Sequence, residues 1–369
     1  MEIIGFDAQP LFRFRDGIGT YTLEIIKSMA RSRPDIVFEG LYFKEFDGSD
    51  LIKEFDTIKN VRFKKVSLNW QIIRFFAEIG IWIPVDKFMK INYLGFIYTN
   101  FTCLPWISAK TPKCLVVHDA AFLHFPETLS GANLYYLKKF VKKSVSRKNT
   151  RVFTISKFIA QDLRKIYGKK FSIAYPSSTL KIAGLSRKEK TNSDKKNLLF
   201  IGTLEPRKNI SRLVEAYAQL SENIRADFPL QIVGKKGWVD CDPLIEKIIN
   251  VGGSYLGQVT DVELRKLLIE SYGVLLPSLY EGFGIPVLDA SRFKKPVLIS
   301  RYGPMVEIVG GKGAIFVDPL DTKSIYKGLI KLTTMSDDIK RMTERSFMES
   351  NKFSWDSSAK ALLETFFKK

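Results

Sequence analysis

Three cysteines, two histidines and no long apolar run are what this chain of 369 residues has least of. Cys103, Cys114 and Cys241 are odd in number and show no paired metal-ligand spacing. That pattern argues against a disulfide framework and fits a reducing compartment. His118 and His124 do not complete a zinc cluster with them, so neither a structural nor a catalytic metal is expected. The most apolar internal stretch, Ile79 to Val85, is far shorter than the ~20 residues a membrane helix needs. Met1 leads directly into the strand-like Glu2 to Phe6, with no basic start and no cleavable apolar region. A cytoplasmic chain without a leader is the expectation.

What is present is a chain that can bury a sizeable core, with 45% hydrophobic residues and a length that favours two domains. It carries 58 lysines and arginines against 39 acids, a formal net charge of +19. Such an excess calls for a polyanionic partner: nucleic acid, an anionic membrane surface or a phosphorylated substrate. Charge alone does not choose among them.

Short apolar strands alternate with helical patterns in both halves, the signature of parallel α/β sheets. The strands expected first are Glu2 to Phe6, Phe96 to Tyr98, Lys113 to Val117 and Arg151 to Ile155. Later come Asn197 to Gly202, Leu230 to Gly234, Gly273 to Pro277, Pro296 to Ser300 and Ala314 to Val317. The polar, charged stretch 185–196 reads as a linker between a domain of residues 1–184 and another of residues 197–353. The last segment, 354–369, places Trp355, Ala359, Leu362, Leu363 and Phe366 near one helical face, which is expected to pack back on the first domain.

Chemistry concentrates at turns that follow strands. Glu281 to Ala290, behind the run Gly273 to Ser278, sets two acids, Glu281 and Asp289, around a strand-to-helix turn. Phe283 and Gly284 lie between them, where the main chain can approach a ligand closely. A carboxylate can take sugar hydroxyls, exposed N–H groups phosphate oxygens, and the second carboxylate ribose hydroxyls. After Asn197 to Ile201, the turn from Gly202 presents Arg207 and Lys208, suited to clamping a diphosphate; a solvated basic turn is the plain alternative, and Glu205 can orient Arg207. Gly17 and Gly19 form a turn before a helix expected at Thr20 to Ala30, either a phosphate contact or a simple tight turn. His118, beside Asp119 at the C-terminal edge of a strand, is placed for a sugar hydroxyl or for a structural bond, whereas His124 has no comparable setting.

Two segments carry no assigned chemistry. Ala132 to Lys148 reads as a basic amphipathic helix that lies either on anionic lipid or against the core with a solvated lysine face. The aromatic stretch Trp70 to Trp82 is expected to be a core helix rather than an acceptor groove.

Taken together, these motifs resemble the retaining glycosyltransferases of family four. They include the Gly17 to Tyr21 loop, Val117-His118-Asp119, Thr154 to Lys157, Gly202 to Ile210, Val233-Gly234-Lys235, Leu256 to Val259 and Pro277 to Ala290. The resemblance covers nearly the whole chain and implies the GT-B fold: α/β, two Rossmann-like domains with parallel sheets facing across a cleft. It also implies that Glu281 meets the donor sugar, Asp289 the nucleotide ribose, and Arg207 with Lys208 the diphosphate. Phe283 and Gly284 match positions whose amides approach the sugar or phosphate, His118 matches a histidine facing the sugar, and Gly17 and Gly19 match the loop that closes over the phosphates. The second acid of the family's E-x7-E motif is here Asp289, one methylene shorter, which bears on the geometry of nucleotide binding.

The activity so implied is metal-independent transfer of a hexose, with retention, from a nucleotide sugar to a growing lipid-linked surface glycan such as O-antigen, capsule or exopolysaccharide. The Gly17 to Tyr21 loop and the region from Tyr98 to Asp119 look most like mannosyltransferases, making GDP-mannose the first choice of donor and a UDP-hexose the alternative. An epimerase or phosphorylase on a similar fold is a further alternative. The partners expected are the nucleotide sugar, a glycan or lipid-linked acceptor and the anionic inner face of the cell membrane, with no cofactor and no nucleic acid. The alternative of another class, a basic nucleic-acid-binding protein, rests on the +19 charge and predicts steeply salt-dependent binding.

Overall fold

A computed structural model describes residues 2–367 apart from 13–16, 46–52, 80, 102–105, 129–130, 181–195, 238–239 and 335. Cys103 and all but Lys196 of the expected linker lie outside the described residues. The chain divides into two compact units, Met1–Pro176 with Ser354–Lys369, and Ser177–Phe353. The division falls before residue 184 because Ser177 bonds into the second unit: its hydroxyl donates to Phe353 O at 3.0 Å and accepts from Arg292 at 3.0 Å.

Among the described residues the first unit holds strands β1 (Ile3–Asp7), β2 (Val37–Phe43), β3 (Val61–Val66), β4 (Gly95–Tyr98), β5 (Lys113–Val117), β6 (Thr150–Thr154) and β7 (Ser172–Ile173). They pair in the order β3-β2-β1-β4-β5-β6-β7. Every pairing is parallel. The central strands β4 and β5 are buried throughout, which is why they read as unbroken apolar runs. Edge strand β3 escapes such a reading, since Arg62, Lys64 and Lys65 interrupt it. Its Arg62 instead reaches Glu39 of β2 at 2.7 Å, and that buried carboxylate also accepts from Tyr93 at 2.8 Å.

The helix Trp355–Phe367 belongs to this first unit. Ala359 and Leu362 are buried, Ser28 donates to Asp356 at 2.5 Å, and Ser358 donates to Tyr175 O at 2.6 Å. Gly17 and Gly19 differ from expectation. They are the opening residues of the helix Gly17–Ser32 rather than a turn before it. Glycine's cost in a helix is the backbone entropy it gives up, and the remainder of Gly17–Ser32 supplies the buried face that offsets it.

The second unit carries β8 (Leu198–Ile201), β9 (Leu230–Val233), β10 (Ser254–Gly257), β11 (Gly273–Leu276), β12 (Val297–Ser300) and β13 (Ile315–Val317). The order is β10-β9-β8-β11-β12-β13, again parallel. Its core joins Leu198, Phe200, Ile232, Leu275 and Leu298 from the sheet to Leu213, Tyr217, Ile325 and Leu329 from the flanking helices. In this order the chain winds outward from β8 in one direction and from β11 in the other. The turns after β8 and β11 therefore meet at a topological switch point, where open α/β sheets bind ligands.

Candidate functional site

The turn leaving β8 supplies the cations. Pro206–Lys208 forms one short helical turn, and Asn209 follows in the left-handed region at φ 60°, a conformation asparagine tolerates better than most residues. Asn209 Nδ2 donates to Pro277 O at 2.9 Å and to Pro319 O at 2.6 Å, tying the turn to the ends of β11 and β13. The turn leaving β11 supplies the carboxylate. Glu281 Oε1 accepts from Lys208 Nζ at 2.6 Å and from Ser278 Oγ at 2.9 Å, and Glu281 Oε2 accepts from Arg207 at 3.4 Å. Arg207 is aimed by Glu205, to which its Nε donates at 2.7 Å, and by Tyr280 O at 3.3 Å.

Burial pushes the Glu281 carboxyl up, yet the charges of Lys208 and Arg207 and the bonds from Lys208 and Ser278 outweigh it. The net effect holds Glu281 below the ordinary glutamate value, as the anion. Two cations and two carboxylates thus form one cluster. An ammonium has three N–H donors and a guanidinium five, so each cation can hold a carboxylate and a phosphate oxygen together.

The helix Ile285–Arg292 begins at Gly284, without a side-chain cap. Gly284 sits at φ 103°, and a Cβ there would lie 2.6 Å from Met305 Cγ, so only glycine admits this close start. Gly234, after β9, is tighter still: its φ is 149° and a Cβ would come within 1.9 Å of Gly202 O. The backbone turn that carries Gly202 rests on that missing side chain.

Asp289 lies on the same helix and is 5% exposed, and its Oδ1 has no hydrogen-bond partner among the described residues. Burial drives its carboxyl up to about 7, against a bond with Ser178 and the charge of Arg292, with Asp261 adding to the rise. Within one unit, one acid of the motif is held ionised and the other is raised so that it titrates close to neutral pH.

In the first unit, His118 directly follows β5 and is buried. Its Nε2 lies 2.7 Å from Thr99 O, and because a carbonyl only accepts, that nitrogen carries the proton. Tyr21 meets the imidazole edge-on at 5.0 Å, and Thr22 Oγ1 lies 2.7 Å from Thr99 Oγ1. The first turns of the Gly17–Ser32 helix are thereby fastened to the loops after β4 and β5. Asp119 is turned elsewhere: its Oδ1 accepts from Ala121 N at 3.0 Å. His124 pairs with Asp162 at 2.8 Å.

The structure brings together Arg207, Lys208 and Glu281, with Gly202, Phe283, Gly284 and Asp289 in the same unit, while Gly17, Gly19 and His118 belong to the other. Ser278, Asn209, Tyr21 and Thr99 were not legible as partners. They are ordinary polar or aromatic residues whose role is set by neighbours distant in the chain. Among the described residues no helix is long and apolar enough to cross a membrane. The core expectation for Trp70 to Trp82 is not met. Its helix, Trp70–Glu78, buries Ile73 but leaves Ile72 and Phe75 more than half exposed.

Residues 183–347 match the family model described as Glycosyl transferases group 1. The chain is 27% identical to O-antigen chain mannosyltransferase B of Escherichia coli, covering 97% of each. It is also 27% identical to O-antigen chain mannosyltransferase RfbU of Salmonella typhimurium, over 70% of this chain and 71% of the other. A glycosyltransferase involved in lipopolysaccharide biosynthesis superposes with a TM-score of 0.72 over 100% of both chains at 15% identity, a likeness of fold. That fold is GT-B, with a parallel sheet in each unit.

Proposed function

We propose that this glycosyltransferase moves a hexose with retention from a nucleotide sugar to a growing lipid-linked surface glycan of the O-antigen kind. Mannose is the sugar in the names of the relatives; GDP-mannose is our first choice of donor, and a UDP-hexose is the alternative. The observation that carries this reading is the triple hold on Glu281 by Lys208, Arg207 and Ser278 at the switch point of the second sheet. It sets a fixed anion beside two cations where a sugar diphosphate is to be recognised.

In the reaction so proposed, the bond between the anomeric carbon and the diphosphate breaks. The acceptor oxygen joins that carbon on the same face, and its proton passes to the departing phosphate oxygen. Arg207 and Lys208 stabilise the charge that develops on the leaving group, without a metal. Glu281 takes sugar hydroxyls with its remaining lone pairs, and Asp289 Oδ1, without a partner among the described residues, suits a ribose hydroxyl donor. The same reading gives His118 a hydrogen bond to the sugar and gives Gly17 and Gly19 backbone contacts to phosphate. The site of action is cytoplasmic, at the inner face of the membrane that holds the acceptor.

Release of nucleoside diphosphate should be measured with GDP- and UDP-sugars and a lipid-linked glycan acceptor, with the anomeric configuration of the product read by NMR. GDP-mannose is expected to turn over and to yield the retained anomer. Turnover of UDP-hexoses alone would move the donor to the alternative, and silence with every nucleotide sugar would sink the reading.

A further inference from the structure

One face of the first unit is built for a different contact from the one His118 makes. The helix Trp70–Glu78 exposes Ile72 and Phe75, and Ile79 and Ile81 beyond its end are likewise more than half exposed. Against this apolar strip lies a row of cations four residues apart on and just past the helix Gly131–Val145. Lys139 Nζ donates to Glu78 O at 3.1 Å, while Lys143 and Arg147 stand 5.3 and 4.4 Å from the ring of Trp82. At the end of the row is a cavity of about 350 Å³, lined in part by Trp82, Trp106, Lys87, Arg147 and Lys148. Lys113, the first residue of β5, also lines it, so it opens at the opposite end of that strand from His118.

Charge on this face is one-sided. Residues 70–90 and 131–148 together hold nine basic side chains and two acids. Glu78 is paired with Arg74 at 3.0 Å, and Asp86 is buried and accepts from Ser108 N at 2.9 Å. Exposed isoleucine and phenylalanine beside lysine fit a surface that is apolar within and anionic at its boundary. A water-facing lysine helix would have no use for the isoleucines, and a purely apolar partner would leave the lysines desolvated.

We propose that this face docks on an anionic phospholipid surface: Ile72, Phe75, Ile79 and Ile81 enter the acyl boundary, and the cavity of Lys87, Arg147 and Lys148 receives a headgroup phosphate. The proposal rests on the reading of a lipid-linked acceptor and supplies the contact that brings the enzyme to it.

Flotation of the full chain with phosphatidylcholine vesicles, with and without phosphatidylglycerol, tests it. Wild type should bind only the anionic vesicles and keep a salt-resistant fraction. The double variant Ile79→Ser, Ile81→Ser should lose about tenfold in affinity together with that fraction. Lys87→Gln should lose about fivefold. Both variants should turn over a nucleotide sugar with a water-soluble acceptor at the wild-type rate, which shows that they fold. Equal binding to neutral vesicles, wild-type binding by the double variant, or a concentration-dependent dimer dissolved by the same substitutions would overturn the proposal. A protein that floats as expected yet transfers no sugar would overturn only the functional reading.

Discussion

Lys208 Nζ and Glu281 Oε1 stand 2.6 Å apart although 73 positions separate the residues in the chain, and both side chains are largely buried. A buried ion pair costs desolvation on both sides and is held only when further hydrogen bonds complete it. Ser278 and Arg207 complete this one from the Glu281 side. On the proposed function, the same pair that supports the fold also meets the donor.

Glu281→Gln keeps the volume but leaves the Lys208 ammonium without its counter-charge. Stability should fall by about 3 kcal/mol in urea denaturation. Transfer should fall at least about a hundredfold. Pairing the change with Lys208→Met should restore most of the stability and none of the transfer. Restored transfer would show that the pair is structural alone.

Arg207→Ala should lower kcat by roughly a hundredfold to a thousandfold, the loss of one preorganised charge at a leaving group. The effect belongs mainly in kcat, because the charge it meets grows in the transition state. Steady-state kinetics that place the whole loss in KM would assign Arg207 to ground-state binding instead.

The two acids of the motif impose opposite pH slopes. Glu281 is depressed when folded, so its contribution is present above the ordinary glutamate value and is lost as pH falls through the lowered folded value. Asp289 rises from 3.8 to about 7, so its contribution is present at acid pH and is lost as pH climbs between those values. Asp289→Asn removes the second slope. The stability of wild type relative to this variant should decline by about 4 kcal/mol across that window, at roughly 1.4 kcal/mol per unit. Parallel denaturation profiles from pH 4 to pH 8 would contradict the assignment.

Gly234→Ala forces a Cβ against Gly202 O and should cost more than about 2 kcal/mol, with loss of nucleotide-sugar turnover as the Gly202 turn moves. Gly252→Ala is the control: its φ is also positive, at 82°, but the space around it is open. It should cost about 1 kcal/mol and leave turnover intact. Equal costs at the two sites would mean that the close backbone approach is not what Gly234 provides.

Much of the fold was legible because the central strands are buried on both faces. Lys113 to Val117 matches β5 residue for residue, and the strand opening the second unit, expected at Asn197 to Gly202, is shorter by one position at each end. Legibility failed where a partner elsewhere supplies the logic. Strand β3 is lysine-rich because it is an edge, and the Arg62 on it is bought by Glu39 of the neighbouring strand. The helix Trp70–Glu78 has a strong apolar stripe, but periodicity records that a face exists, not what covers it.

At the site, the residue types Arg207, Lys208, Glu281 and Asp289 were readable from their turns, and so was the chance that Glu205 orients Arg207. Asn209 as the clasp to the ends of β11 and β13 was not, nor was the opposite displacement of the two acids, one lowered and one raised to about 7.

The sequence by itself determined the α/β class, the turns that carry chemistry and the kinds of group they present, because hydrophobic period and side-chain type are local properties. Tertiary structure alone decided that Lys208 and Arg207 meet Glu281, and that Asp289 is buried deeply enough to hold its proton near neutral pH. Strand order brings the turns after β8 and β11 together, and burial depends on every segment packed around a carboxyl; neither is contained in any one stretch of chain.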